Sequence, residues 1–167
     1  YHVSGYWKDV GTISSLWEAN MEVLGPENSG INLFDEDWKI FSRNSGMTGH
    51  KISKGAIVED SMITDGCRVD GTVKHSVLFA GVKVEPGAVI EDAVVMGGSV
   101  IKSGAVVKHC IVAENVTVGA NAEVGAMPTA DAAGVATLGP GVTVGDGAKI
   151  GPNAMVSSDV EGGAEVC

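Results

Sequence analysis

The run Gly5-Tyr6-Trp7-Lys8-Asp9-Val10-Gly11-Thr12 holds the residues with the clearest chemical potential. A carboxylate set among aromatic rings and followed by a glycine has two ordinary uses. It can hold magnesium, which prefers carboxylate oxygens, where transfer of a phosphate accumulates negative charge. It can equally cap a turn ahead of a helix. Two basic groups are candidates for an anion: Lys102, Lys108 and His109 in one, and Arg43, His50, Lys51 and Lys54 in the other. Lysines of this kind are more often solvated than ligating. His75 and His109 are the histidines placed to act as a general base. Cys67 falls on a small inward position of a repeat and reads as core rather than as a reactive thiol.

The bulk composition narrows these uses. A formal charge of −10 over 167 residues disfavours nucleic acid and anionic lipid, which need a basic face. An anionic ligand must then be held by a few local cations. The three cysteines have neither CxxC nor Cys/His spacing, so a disulfide framework and a zinc site are not expected, and a reducing cytoplasm fits. No apolar run approaches the roughly 20 residues that span a bilayer. A first residue of Tyr1 rather than Met, inside a structured motif, predicts a piece of a longer protein.

The elements that position these residues differ along the chain. Tyr1, Tyr6, Trp7, Trp17, Phe34, Trp38 and Phe41 crowd the first quarter, and glycine, valine and alanine dominate after about residue 46. Ser15 and Glu18 have capping-box spacing at a helix start. Trp17, Met21 and Leu24 form one helical stripe, and Gly25-Pro26 stops the helix. A linker and a short Trp38–Phe41 strand should follow.

The rest is a six-residue repeat. Aliphatic residues recur at Ile57, Ile63 and Val69; at Leu78, Val84, Ile90 and Met96; at Ile101 and Val107; at Val118 and Val124; and at Leu138, Val144, Ile150 and Val156. Four residues after most of them stands a small or β-branched residue, such as Cys67, Ala88, Ala105 or Ala148, commonly preceded by Gly or Asn. Short strands joined by sharp corners, three to a coil of about eighteen residues, would stack these aliphatics inward. The corners need left-handed backbone angles, which Gly and Asn tolerate. The expected fold is therefore mainly β, a left-handed parallel β-helix. The stretch from Val69 to Leu78 exceeds the period and predicts a bulged corner. The longer gap around residues 125–137 predicts a loop thrown outward, more simply a tolerated insertion than a site.

The run from Gly5 to Thr12, with Ile13-Ser14-Ser15-Leu16-Trp17-Glu18-Ala19-Asn20 after it, resembles the bacterial glucose-1-phosphate adenylyltransferases (ADP-glucose pyrophosphorylases). Trp38-Lys39-Ile40-Phe41-Ser42-Arg43, Gly66-Cys67 and Gly71-Thr72-Val73-Lys74-His75-Ser76-Val77-Leu78-Phe79 are similar to it too. The resemblance divides the chain into a nucleotidyltransferase-domain tail at 1–26, a linker at 27–45 and a β-helix domain at 46–167. It implies the reaction of ATP with glucose 1-phosphate to give ADP-glucose and pyrophosphate, in glycogen synthesis. It gives Asp9 as a ligand of Mg2+ with a second, upstream aspartate, and places Tyr6, Trp7, Gly11 and Thr12 at the substrate. It further implies a cytoplasmic homotetramer, with Arg43, Lys102, Lys108 and His109 as candidates for an anionic effector. The glycine-rich nucleotide loop and the sugar-phosphate lysine of the family are not in this sequence, so the chain alone should be inactive. The alternatives are a hexapeptide-repeat acyltransferase using His75 or His109, a non-catalytic regulatory paralogue, and a related enzyme of another nucleotide.

Overall fold

The computed structural model describes residues 2, 5–25, 30–40, 45–131 and 133–167. Among these residues, nineteen short strands follow one helix, α1, which spans Ile13–Glu22. The strands form three parallel sheets of six, seven and six strands, which join every third strand of the sequence except where Glu165–Val166, two strands on, pairs with Lys149–Ile150. That order is a parallel β-helix of about seven coils with three flat faces. The first face runs from Lys51–Ile52 to Thr143–Val144, the second from Ile57–Glu59 to Glu165–Val166, and the third from Met62–Ile63 to Met155–Val156.

The core follows from side-chain alternation along strands of two or three residues. Val69, Val84, Ile101, Val118 and Val144 stack inward on the first face. Val73, Ile90, Val107, Val124 and Ile150 do so on the second, and Leu78, Val95, Val112, Leu138 and Val156 on the third. Two residues before most of these, a small partner fills the coil's interior, among them Cys67, Val82, Ala88, Ala105, Ala122 and Ala148.

The period departs from six at the corner between the second and third faces and once more just after Val69, and three sequence expectations change with these departures. Val84 pairs with Ile101 and Ile101 with Val118, seventeen residues per coil rather than eighteen. The missing residue lies between the second and third faces, where Ile90 and Val95 are five apart. Val95 therefore faces inward, and Met96 turns out to a different apolar cluster. Ile57 is 46% exposed while Val58 packs against the core. No bulge follows Val69: Val73 fills the second face, and Arg68 pairs with Lys83 in a coil shortened to fifteen residues. Gly71 permits this, because a Cβ there would lie 2.5 Å from the Ala88 carbonyl oxygen.

Helix α1 is capped by Thr12, whose hydroxyl accepts from the Ser15 amide while the Ser15 hydroxyl accepts from the Thr12 amide. The capping box is thus Thr12/Ser15, one turn earlier than Ser15/Glu18. The helix ends at Glu22, ahead of Gly25, and Pro26 lies outside the described residues. Residues 38–40 form no strand, and Phe41 is outside the described residues. The Asp35 carboxylate accepts the amides of Asp37 and Trp38 at 2.8 and 3.1 Å, which curls the backbone a strand would need straight.

The helix does not stand apart from the β-helix. Ile13, Leu16, Trp17, Met21 and Leu24 pack on the outward residues of the third face, including Met62, Val77, Val94 and Ile111. Val94 and Ile111 point away from the coil interior, yet they are 0% and 3% exposed. Each aliphatic side chain covered in this way contributes about 1.5–3 kcal/mol.

Candidate functional site

The Asp9 turn leads directly into this docked helix. Its Oδ1 accepts the Gly11 amide at 3.0 Å, so the turn-capping use is realised, and one oxygen of an exposed carboxylate is left over. Magnesium is usually bound through one or two carboxylates and several waters, a role that one free oxygen can share but not fill. Among the described residues no group of three or more His, Cys, Asp or Glu could hold a metal ion.

Tyr6 and Lys8 reach back along the helix instead of forward to Asp9. The Tyr6 hydroxyl donates to Glu22 at 2.7 Å, and the Lys8 ammonium donates to Glu22 at 2.7 Å and to Glu18 at 2.9 Å. The Lys8 and Tyr6 hydrogen bonds hold the Glu22 carboxyl below its ordinary range. Glu22 in turn raises Lys8 and Tyr6 above theirs. Trp7 is 75% exposed, which leaves its ring free for another surface.

The group of Lys102, Lys108 and His109 is not gathered. Lys102 follows the first-face strand Val100–Ile101 and lies 3.9 Å from Asp146. Lys108 belongs to the second-face strand Val106–Lys108 and pairs with Glu91 at 3.1 Å, and His109 is buried. Lys102 is therefore on a different face from the other two, and their nearness in sequence does not survive the coil. Of the other group, Arg43 lies outside the described residues, and His50, Lys51 and Lys54 are exposed. Cys67 is core, as expected: it is 2% exposed, its thiol donates to the Phe79 carbonyl, and burial pushes it up.

A second constellation went unseen in the sequence. At the short corner, four successive coils carry Glu59-Asp60, Lys74-His75, Glu91-Asp92 and Lys108-His109. Glu59 is in register with Lys74, Lys74 with Glu91, and Glu91 with Lys108, so charge alternates up the corner. Asp60, His75, Asp92 and His109 all take left-handed φ, between 41° and 58°. Asp and His are among the non-glycine residues that accept that region most readily. The Asp92 carboxylate sits between two imidazoles, with His75 Nδ1 at 2.8 Å from one oxygen and His109 Nδ1 at 2.6 Å from the other.

Helix α1 closes over this corner. The Trp17 indole N–H donates to the Asp92 backbone carbonyl at 2.9 Å, and the ring meets His109 edge-on at 4.5 Å between centroids. Beside the contact lies a cleft of about 450 Å³ lined by Trp17, Glu18, Met21, Glu22, Asp60 and His75, among others. The expected outward loop leaves from the same corner. Thr117 pairs with Thr143, a coil of twenty-six residues, and Val135 returns to pack in the cluster beneath the helix. Gly125 opens the loop at φ 68°, where a Cβ would strike the Lys108 carbonyl.

A family model described as "GlmU-like, C-terminal hexapeptide" matches residues 47–145. This chain belongs to that family. The GlmU-like match spans the coils up to the strand Thr143–Val144, with the Asp92 corner and the outward loop, and it accords with the left-handed β-helix that the repeat predicted. It stops short of Asp9 and α1, so the chemistry of that segment rests on its own residues. Among the described residues, no helix of this GlmU-like chain is long and apolar enough to cross a membrane.

Proposed function

We propose that this GlmU-like β-helix chain is the C-terminal part of a glucose-1-phosphate adenylyltransferase. In that reading it supports assembly and regulation and contributes one face of the nucleotidyl-transfer site. The observation that carries the reading is the placement of Asp9: its turn stands at the N-terminus of a helix fastened to the β-helix, and the segment resembles that enzyme family from Gly5 to Asn20. Asp9 would supply one carboxylate oxygen to a magnesium ion, which offsets the charge that builds on the transferring phosphate. Trp7 would face the sugar phosphate, while Gly11 and Thr12 hold the turn. The remaining ligands and the nucleotide loop would come from sequence outside this chain. ATP and glucose 1-phosphate would be its substrates, in a cytoplasmic oligomer.

The test is an assay of ADP-glucose formation by a protein in which a nucleotide-binding domain precedes Tyr1. Asp9→Asn should abolish turnover and leave the β-helix folded; near-normal turnover removes Asp9 from the metal. The chain by itself should bind no acetyl-CoA, and clear binding would favour an acyltransferase. Of the two histidines that alternative would use, His109 is 5% exposed beneath Trp17, which speaks against it as the base. His75 meets Asp92 through Nδ1 and keeps Nε2 open, so the acetyl-CoA test decides.

A further inference from the structure

Most contacts between α1 and the third face are made by methionine, leucine, isoleucine and valine. Such contacts are non-directional, and methionine repacks readily, so they hold a helix down without fixing its position along the face. Among the described residues, one hydrogen bond ties the helix to the coils: Trp17 to the Asp92 carbonyl. Its acceptor is unusually well held. The Asp92 amide donates to the Lys74 carbonyl, its side chain is gripped by His75 and His109, and the next corner amide, that of His109, donates to Glu91.

The other end of the helix is also tied. Thr12 and Ser15 cap it reciprocally, and Asp9 accepts the Gly11 amide, so the Asp9 turn moves with the first helical turn. Trp17 is little more than one turn from Thr12, about 7 Å along the axis. A shift at Trp17 is therefore delivered to the Asp9 turn with little loss.

We propose that α1 is a lever whose position is set by the Asp92 corner, with Asp92 and Trp17 as positioning residues for the Asp9 turn. The corner of alternating charge around Asp92 then becomes the route by which a change in the coils reaches the site. This proposal rests on the reading of Asp9 as a magnesium ligand.

Two variants test it. Trp17→Phe removes the indole N–H and keeps an aromatic ring. Asp92→Asn accepts left-handed φ but cannot take both imidazole N–H groups. In the chain itself, hydrogen exchange at the α1 amides should rise about five-fold in Trp17→Phe, the value of one ordinary hydrogen bond, with the coil amides unchanged. In the protein with its nucleotide-binding domain, the magnesium concentration for half-maximal activity should rise by a similar factor, about five-fold, while kcat at saturating magnesium stays within about two-fold. Asp92→Asn should move both readouts in the same direction. Unchanged exchange in both variants overturns the latch. Faster exchange with an unchanged magnesium requirement overturns the lever. Absence of any adenylyl transfer in the parent protein overturns the underlying reading and the lever with it, and the exchange result tells that failure apart.

Discussion

The indole N–H of Trp17 meets the backbone carbonyl of Asp92 at 2.9 Å, joining positions 75 residues apart in sequence. It marks where the helical lead-in stops being a separate segment and becomes a fourth layer over one face of the β-helix.

The apolar part of that layer has a measurable weight. Ile111→Ala removes a side chain that is 3% exposed under the helix. The change should cost about 2–4 kcal/mol, mostly in helix docking, since the coil interior does not contain Ile111. Loss of helix protection in hydrogen exchange with the strands still protected is the expected pattern; equal loss in both would contradict the layered arrangement.

Thr137 lies between Ile111 and Met155 on the same face, and its buried hydroxyl has no hydrogen-bond partner among the described residues. Thr137→Val keeps the β-branched shape and removes the unsatisfied group. A gain of about 1 kcal/mol is expected in thermal or denaturant unfolding. A destabilised variant would mean that the hydroxyl has found a partner.

The clasp of Tyr6 and Lys8 on Glu22 sets a pH window. Glu22 is held below its ordinary value, so its contribution is complete above the usual carboxylate range and disappears as pH falls through the lowered value. Lys8 and Tyr6 are raised, so their contribution is complete below their ordinary values and disappears as pH climbs past the raised ones. The clasp should be closed across neutral pH and should open in acid and in strong alkali. Side-chain NMR of Tyr6 and Lys8 would follow it, and Glu22→Gln should erase the acid limb. Added salt should weaken the clasp, because these side chains are accessible to solvent.

Thiol chemistry separates the three cysteines. Cys67 and Cys110 are buried, and burial pushes both thiols up, whereas Cys167 is exposed. Alkylation of the native chain at pH 8 should modify Cys167 alone, read by mass spectrometry after digestion. Rapid labelling of Cys110 would indicate open coils.

The fold was legible because inward valines and isoleucines at fixed spacing leave few other packings. Glycine and asparagine also marked two of the three corners, as at Gly87, Gly104 and Asn121 on one and Gly98 and Asn115 on the other. The third corner was not legible, because aspartate and histidine fill its left-handed positions in place of the glycine and asparagine that mark the other two. That corner is also one residue short, which displaced the expected inward positions at Met96 and Ile57. The Asp9 turn was visible as a motif, and so was its capping use. The tie between Trp17 and Asp92 depends on which coil lies under the helix, and no local pattern encodes that. The grouping of Lys102 with Lys108 failed for the same physical reason: six residues along this chain lead to a different face.

The corner also gives the β-helix a parity. Negative and positive dipeptides alternate from Glu59-Asp60 to Lys108-His109, so neighbouring coils are not interchangeable even though their interiors are. Excising one seventeen-residue coil, residues 76–92, would seat Lys108-His109 directly on Lys74-His75 and take away the carboxylate both histidines share. Like charges in register on adjacent strands repel, at about 0.2–1 kcal/mol per pair. Excising the two coils of residues 61–92 would instead seat Lys108-His109 on Glu59-Asp60 and keep opposite charges in register. Along this stretch the chain can be shortened or lengthened by pairs of coils more readily than by one.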